Sequence, residues 1–124
     1  MIVNKIHFVI DNTDKAQSFK KNIFNKNGNY PPRSSDVIVV LGGDGFMLKT
    51  LKKYQKYNKP FYGINCGSVG FLMNKYKTSK IDKSIFKAKS FFISPLQMKA
   101  ITKSGKIFSA IAINEVSLLR QSRQ

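Results

Sequence analysis

The sequence predicts an α/β fold, a Rossmann-like parallel sheet domain followed by the start of an all-β second domain. Three observations predict it. DVIVVL, Asp36 to Leu41, is a continuous apolar, β-branched run, the kind that suits a strand covered on both faces. Strand-like and helix-like segments alternate through the first 94 residues. From residue 95 a period of two takes over around a glycine turn, which is hairpin patterning.

Taken in order, KIHFVI at Lys5–Ile10 reads as the first strand. Asn12, Thr13 or Asp14 can cap the helix that follows, in which Ala16, Phe19 and Ile23 recur at helical spacing. Gly28 offers a left-handed stop. NYPPRSS is a connector, because Pro31 and Pro32 cannot continue a helix or a central strand. After DVIVVL, residues Phe46 to Tyr57 form a helix with Met47, Leu51 and Tyr54 on one stripe. FYGIN is a third strand, and CGSVGFLMN is a loop punctuated by glycine. TSKIDKSIFKAK makes a short helix through Ile81, Ile85 and Phe86. Leu96, Met98 and Ala100 then alternate with polar residues, KSGK turns at Gly105, and IFSAIAINEVSLLR returns as a strand. The expected division is residues 1–94, an α/β unit carrying GGDG, and 95–124, the first strands of a truncated β domain carrying the Asn-Glu pair. A lone hairpin is marginal in water, so the chain is expected to be a fragment or a truncated product.

Composition bounds the function. The 124 residues are 42% hydrophobic, a globular composition. No apolar run approaches the roughly 20 residues of a spanning helix, the N-terminus lacks a signal-peptide pattern, and the one cysteine, Cys66, cannot form an internal disulfide. A cytoplasmic protein without membrane attachment is the expectation. The formal charge is +16, from 22 Lys and Arg against 6 Asp and Glu. Either this surface attracts phosphate-bearing partners, or it reflects drift in a lysine-, asparagine- and isoleucine-rich chain. The charges are scattered, arginine is sparse, and no nucleic-acid-binding motif appears, so no nucleic-acid partner is expected. His7, the sole histidine, lies within the first strand with no second metal ligand in view, and no metal-ligating residues are assigned.

The chemistry concentrates at VVLGGDGFMLKT. Gly42, Gly43 and Gly45 permit unusual backbone angles and close approach of a ligand to the main chain. The helix that follows turns its free N–H groups and positive dipole end toward this point, where a phosphate is stabilised, and Lys49 lies one turn further on. Asp44 repels a phosphate unless it caps the helix, holds a metal ion or takes a proton from an attacking hydroxyl. The residues alone leave the N-cap and the phosphate-site readings open.

LGGDGFMLKTL, YGINCGSVGFLMN and AINEVSLLRQSRQ together resemble the NAD kinase family, the third block most of all its alphaproteobacterial members. Three blocks in order, over essentially the whole chain, are far more specific than GGDG alone, which other kinase superfamilies share. The resemblance implies phosphoryl transfer from ATP, or in some members polyphosphate, to the 2′-hydroxyl of the adenosine ribose of NAD, giving NADP with a divalent ion, usually Mg²⁺. It makes Asp44 the catalytic residue, accepting or orienting the hydroxyl proton. It places Gly43 and Gly45 beside the ligand, Lys49 at a basic position used for ligand phosphate, Phe71 against the adenine, and Asn114 and Glu115 at the ribose. Without the resemblance, Phe71 reads first as a core plug, and the Asn-Glu pair as a strand irregularity. The family's later segments, with a second DG-like turn and a TPTGSTAY-like stretch, have no counterpart in these residues, so little or no activity is expected of the 124-residue chain alone. Full-length members are expected to form dimers or tetramers. The alternatives are another GGDG kinase, for a lipid or sugar, and a basic nucleic-acid-binding module.

Overall fold

The apolar runs of the first half lie side by side. In a computed structural model that describes residues 3–27, 29–67, 70–76, 81–93, 99–101, 103–109 and 115–120, β1 (Ile6–Ile10), β2 (Val37–Gly42) and β3 (Phe61–Asn65) are parallel neighbours. Helix α1 (Asp14–Asn27) joins β1 to β2, and α2 (Asp44–Tyr54), extended by a 3₁₀ turn at Gln55–Tyr57, joins β2 to β3. Thr13 begins α1, its hydroxyl accepting the Ala16 N–H at 3.2 Å. Gly28, Leu96 and Met98 lie outside the described residues.

Every residue of β2 is buried, because helices cover both of its faces. Val37, Val39 and Leu41 pack with Ala16 and Ile23 of α1, while Ile38 and Val40 pack with Met47 and Leu51 of α2. Both crossovers step the same way across the sheet, β1 to β2 to β3, yet their helices lie on opposite faces, so the two have opposite hands and one departs from the usual right-handed rule. The bare backbone of Gly63 in β3 admits the second layer: a Cβ there would meet Met73 Sδ at 2.5 Å and Met47 Cε at 2.7 Å.

The second half adds two strands to this sheet and a separate pair. Helix α3 (Ile81–Lys87) buries Ile85 on the α1 face and leads into β4 (Lys89–Ile93). Strands β5 (Lys99–Ile101) and β6 (Ile107–Ser109) form a separate antiparallel pair whose intervening loop includes Gly105 at φ +82°, in keeping with the hairpin pattern. However, β7 (Val116–Arg120) joins the first sheet, whose order is β1-β2-β3-β7-β4. It runs parallel to β3 and antiparallel to β4. Pairing satisfies the open edge of β3, and Val116 and Leu118 fill the α2 face while Leu119 fills the other. No second all-β domain is visible among the described residues.

Among the described residues, no helix is long and apolar enough to cross a membrane.

Candidate functional site

The GGDG turn occupies the carboxyl end of β2. Gly43 is the N-cap of α2, and its carbonyl accepts the Met47 N–H at 2.9 Å. At Gly42 the missing side chain is needed, since a Cβ would sit 2.7 Å from Phe46 Cδ2. Gly43 and Gly45 are different. Gly43 has an extended backbone at φ −113°, and neither residue adopts positive φ. A Cβ on either would meet nothing within 4 Å. At these two positions glycine leaves open space over the helix N-terminus instead of relieving a strained backbone.

Asp44 is the first residue of α2, and α2 has no side-chain cap bond, so the N-cap reading of the aspartate does not hold. Its carboxylate instead crosses to the loop after β3. Oδ2 accepts the Phe71 N–H at 2.8 Å, and Oδ1 accepts the Leu72 N–H at 3.0 Å. An ionised carboxylate has about four lone-pair sites, so capacity remains for a further donor. Lys49 is exposed on α2, one turn beyond Gly45. Phe71 is 70% exposed, so among the described residues it does not pack as a core plug.

The loop is pinned at its far end by Asn74. Its main chain donates to Gly63 O at 2.7 Å and accepts the Asn65 N–H at 2.8 Å. Its buried side-chain nitrogen donates to Gly63 O and Leu119 O at 3.0 and 3.1 Å. Cys66 N donates to Gly42 O at 2.8 Å, tying the loop's start to the GGDG turn. Arg120, at the end of β7, donates to the Phe71 carbonyl and lies over the Phe91 ring. The structure therefore brings Gly43, Asp44, Gly45 and Phe71 together.

Glu115 does not join them. The parallel register sets Leu118 beside Phe61, at the start of β3, so Glu115 precedes the opposite end of the sheet. At about 3.3 Å per residue, it stands roughly 20 Å from the GGDG level along the strands. Asn114 lies outside the described residues. Gly70, Asn74 and Arg120 were not singled out by the sequence. Gly70 and Asn74 stand in the second signature block, but their partners are set by the fold.

His7 Nδ1 is 2.8 Å from the Tyr30 carbonyl, which fixes Nδ1 as the donor, and its Nε2 is buried with no hydrogen-bond partner. Burial pushes the Cys66 thiol up to about 11, so it is not a thiolate at neutral pH. Among the described residues no group of three or more His, Cys, Asp or Glu side chains is placed to hold a metal ion. With both Asp44 oxygens already accepting N–H bonds, these side chains do not fit an all-protein magnesium cage.

Comparison with known proteins agrees with the signature blocks. A family profile, ATP-NAD kinase N-terminal domain, matches residues 9–88. A protein named NAD kinase from Cereibacter sphaeroides is 44% identical over all of this chain and 49% of its own length. Proteins of the same name are 43% identical in Rhizobium meliloti (98% of this chain, 47% of theirs) and in Brucella suis (96% and 46%). The chain thus spans about half the length of the curated relatives it matches.

Proposed function

The chain belongs to the NAD kinase family, and on that premise we propose that the full-length protein phosphorylates the 2′-hydroxyl of the adenosine ribose of NAD, giving NADP. One observation carries this choice. Asp44 stands at the N-terminus of α2 under the open space left by Gly43 and Gly45, and its carboxylate touches the loop that presents the exposed Phe71 ring. A carboxylate, a bare helix N-terminus and a free aromatic face are what transfer of a phosphoryl group to an adenine nucleoside needs.

In this mechanism the ribose hydroxyl donates to a remaining lone pair of Asp44. Its oxygen attacks the terminal phosphorus of ATP, or of polyphosphate, as the bond to the leaving phosphate oxygen breaks, and the proton passes to Asp44. The helix N–H groups and Lys49 stabilise the phosphate oxygens. Adenine stacks on Phe71. A divalent ion, Mg²⁺ by expectation, would neutralise donor phosphate charge when bound. The family resemblance alone proposes Asn114 and Glu115 for the ribose; Glu115 stands at the opposite end of the sheet from Asp44 and is given no part in this step. The assignment further takes the protein as a cytoplasmic homo-oligomer in which residues 95–124 open a β domain through β5 and β6 while β7 returns to the first sheet.

The test is to express the full-length protein and follow NADP formation from NAD with ATP and with polyphosphate. Product with either donor supports the assignment and identifies the donor. No product with both, but phosphorylation of a lipid or sugar, would favour another GGDG kinase, which the family match does not.

A further inference from the structure

Asp44 does more than head a helix. It is the common partner of two successive backbone N–H groups, those of Phe71 and Leu72. A carboxylate can satisfy both because it is acceptor-only. Room for it exists because residue 70 has no side chain: a Cβ on Gly70 would lie 3.2 Å from Asp44 Oδ1 and 3.3 Å from Met73 Cγ. The peptide between Phe71 and Leu72 is then held at both ends, its N–H by Asp44 and its C=O by Arg120. The Phe71 ring, 70% exposed, has little packing of its own to hold it. Its direction is set through the main chain.

We propose that Asp44 is the anchor of the 70–72 loop as well as the residue that meets the sugar hydroxyl, and that Gly70 is a positioning residue that lets the carboxylate reach the loop. Base stacking and proton acceptance are thereby coupled through one side chain. An asparagine at 44 has a single acceptor oxygen, and its NH₂ group faces a second N–H, so one loop amide is left unsatisfied. Asp44→Asn therefore releases the ring along with the chemistry. NAD as the ligand comes from the kinase assignment above, whereas the anchor stands on the hydrogen bonds alone.

A double-mutant cycle on NAD affinity in the full-length protein tests the coupling. Phe71→Ala in the wild-type background weakens NAD binding roughly tenfold by loss of stacking. In the Asp44→Asn background the same change costs less than about twofold, because the ring is already unanchored. Amide exchange at Phe71 and Leu72 rises at least about tenfold in Asp44→Asn and in Gly70→Ala. Losses that multiply in the cycle, or Phe71 and Leu72 amides that exchange at the wild-type rate in Asp44→Asn, overturn the anchor. Wild-type exchange and wild-type NAD affinity in Gly70→Ala overturn the part given to Gly70. Should the wild type bind no NAD, the kinase assignment falls by itself, and the amide exchange still decides the anchor.

Discussion

The chain leaves β2 and β3 in two different ways. After β2 a single residue, Gly43, separates the strand from a helix, and the turn is fixed mainly by its own backbone and by Phe46 folded against Gly42, with one bond from the Cys66 N–H. After β3 the chain bridges back to Ile64 at Asn74, and the Asp44 side chain and that of Asn74 itself hold the described part of the loop in place. The first exit is built locally and the second is borrowed from Asp44 and from Asn74's reach across β3 to β7. Damage at the first is therefore felt as lost stability or lost chemistry at one point, whereas damage at the second spreads through shared partners.

The largest expected effect is at the residue that serves both exits. Asp44→Asn in the full-length protein lowers the rate of NADP formation by roughly 10²- to 10⁴-fold, measured as kcat at saturating NAD and donor. An unchanged kcat would leave Asp44 only a structural link between the two loops. Next is the sealed strand itself. Leu41, fully buried in β2, should cost about 2–5 kcal/mol of unfolding free energy when changed to alanine, measured by urea denaturation. A loss below about 1 kcal/mol would mean that β2 is less tightly enclosed than described. The borrowed exit gives a smaller number. Asn74→Ala removes the side-chain donor to Gly63 O and Leu119 O and should cost about 1–3 kcal/mol. It should also raise amide exchange through residues 70–73, which Leu41→Ala should leave closer to wild type.

Titration sharpens the comparison further. Burial pushes the Tyr62 hydroxyl up to about 12 and the Cys66 thiol up to about 11. Each folded value lies above its unfolded one, so the stabilisation is fully present below the unfolded value and is lost as pH rises. Thermal melts should fall progressively from about pH 9 to pH 12. Cys66→Ser should remove the lower part of that decline, and an identical profile in the variant would contradict burial of the thiol. Smallest is Asp36, whose carboxylate is held below its ordinary value of 3.8 chiefly by the Asn4 and Lys5 N–H groups. Its stabilisation is present above that value and disappears as pH falls through the lower folded one. Because the group is near solvent, Asp36→Asn should cost under about 1 kcal/mol at neutral pH and nearly nothing in strong acid.

What the sequence made legible follows the same split. Strands β1 to β3 and helices α1 and α2 could be read because burial on both faces writes an unbroken apolar run in Val37–Leu41, and helical spacing marks Met47 and Leu51. Gly105 marked the β5–β6 turn. The place of β7 could not be read, since its alternation fits a hairpin as well as it fits the edge of β3, and only the nonlocal partner decides. At the site, the glycines and the carboxylate stood out, but the destination of that carboxylate did not. Its partners are backbone N–H groups 27 and 28 residues away, and a main-chain donor leaves no mark in side-chain identity. Glu115 looked like a neighbour of Asp44 by motif, and the strand direction that separates them is set by pairing.

The account turns on where the Asp44 carboxylate lies when substrate is present. A crystal structure of the full-length protein with NAD bound measures this directly. The expected result is a carboxylate oxygen about 2.6–3.2 Å from the ribose 2′-oxygen, with the Phe71 and Leu72 N–H bonds retained and adenine against the Phe71 ring. A carboxylate turned away from the ribose, with the adenine bound elsewhere, would contradict it.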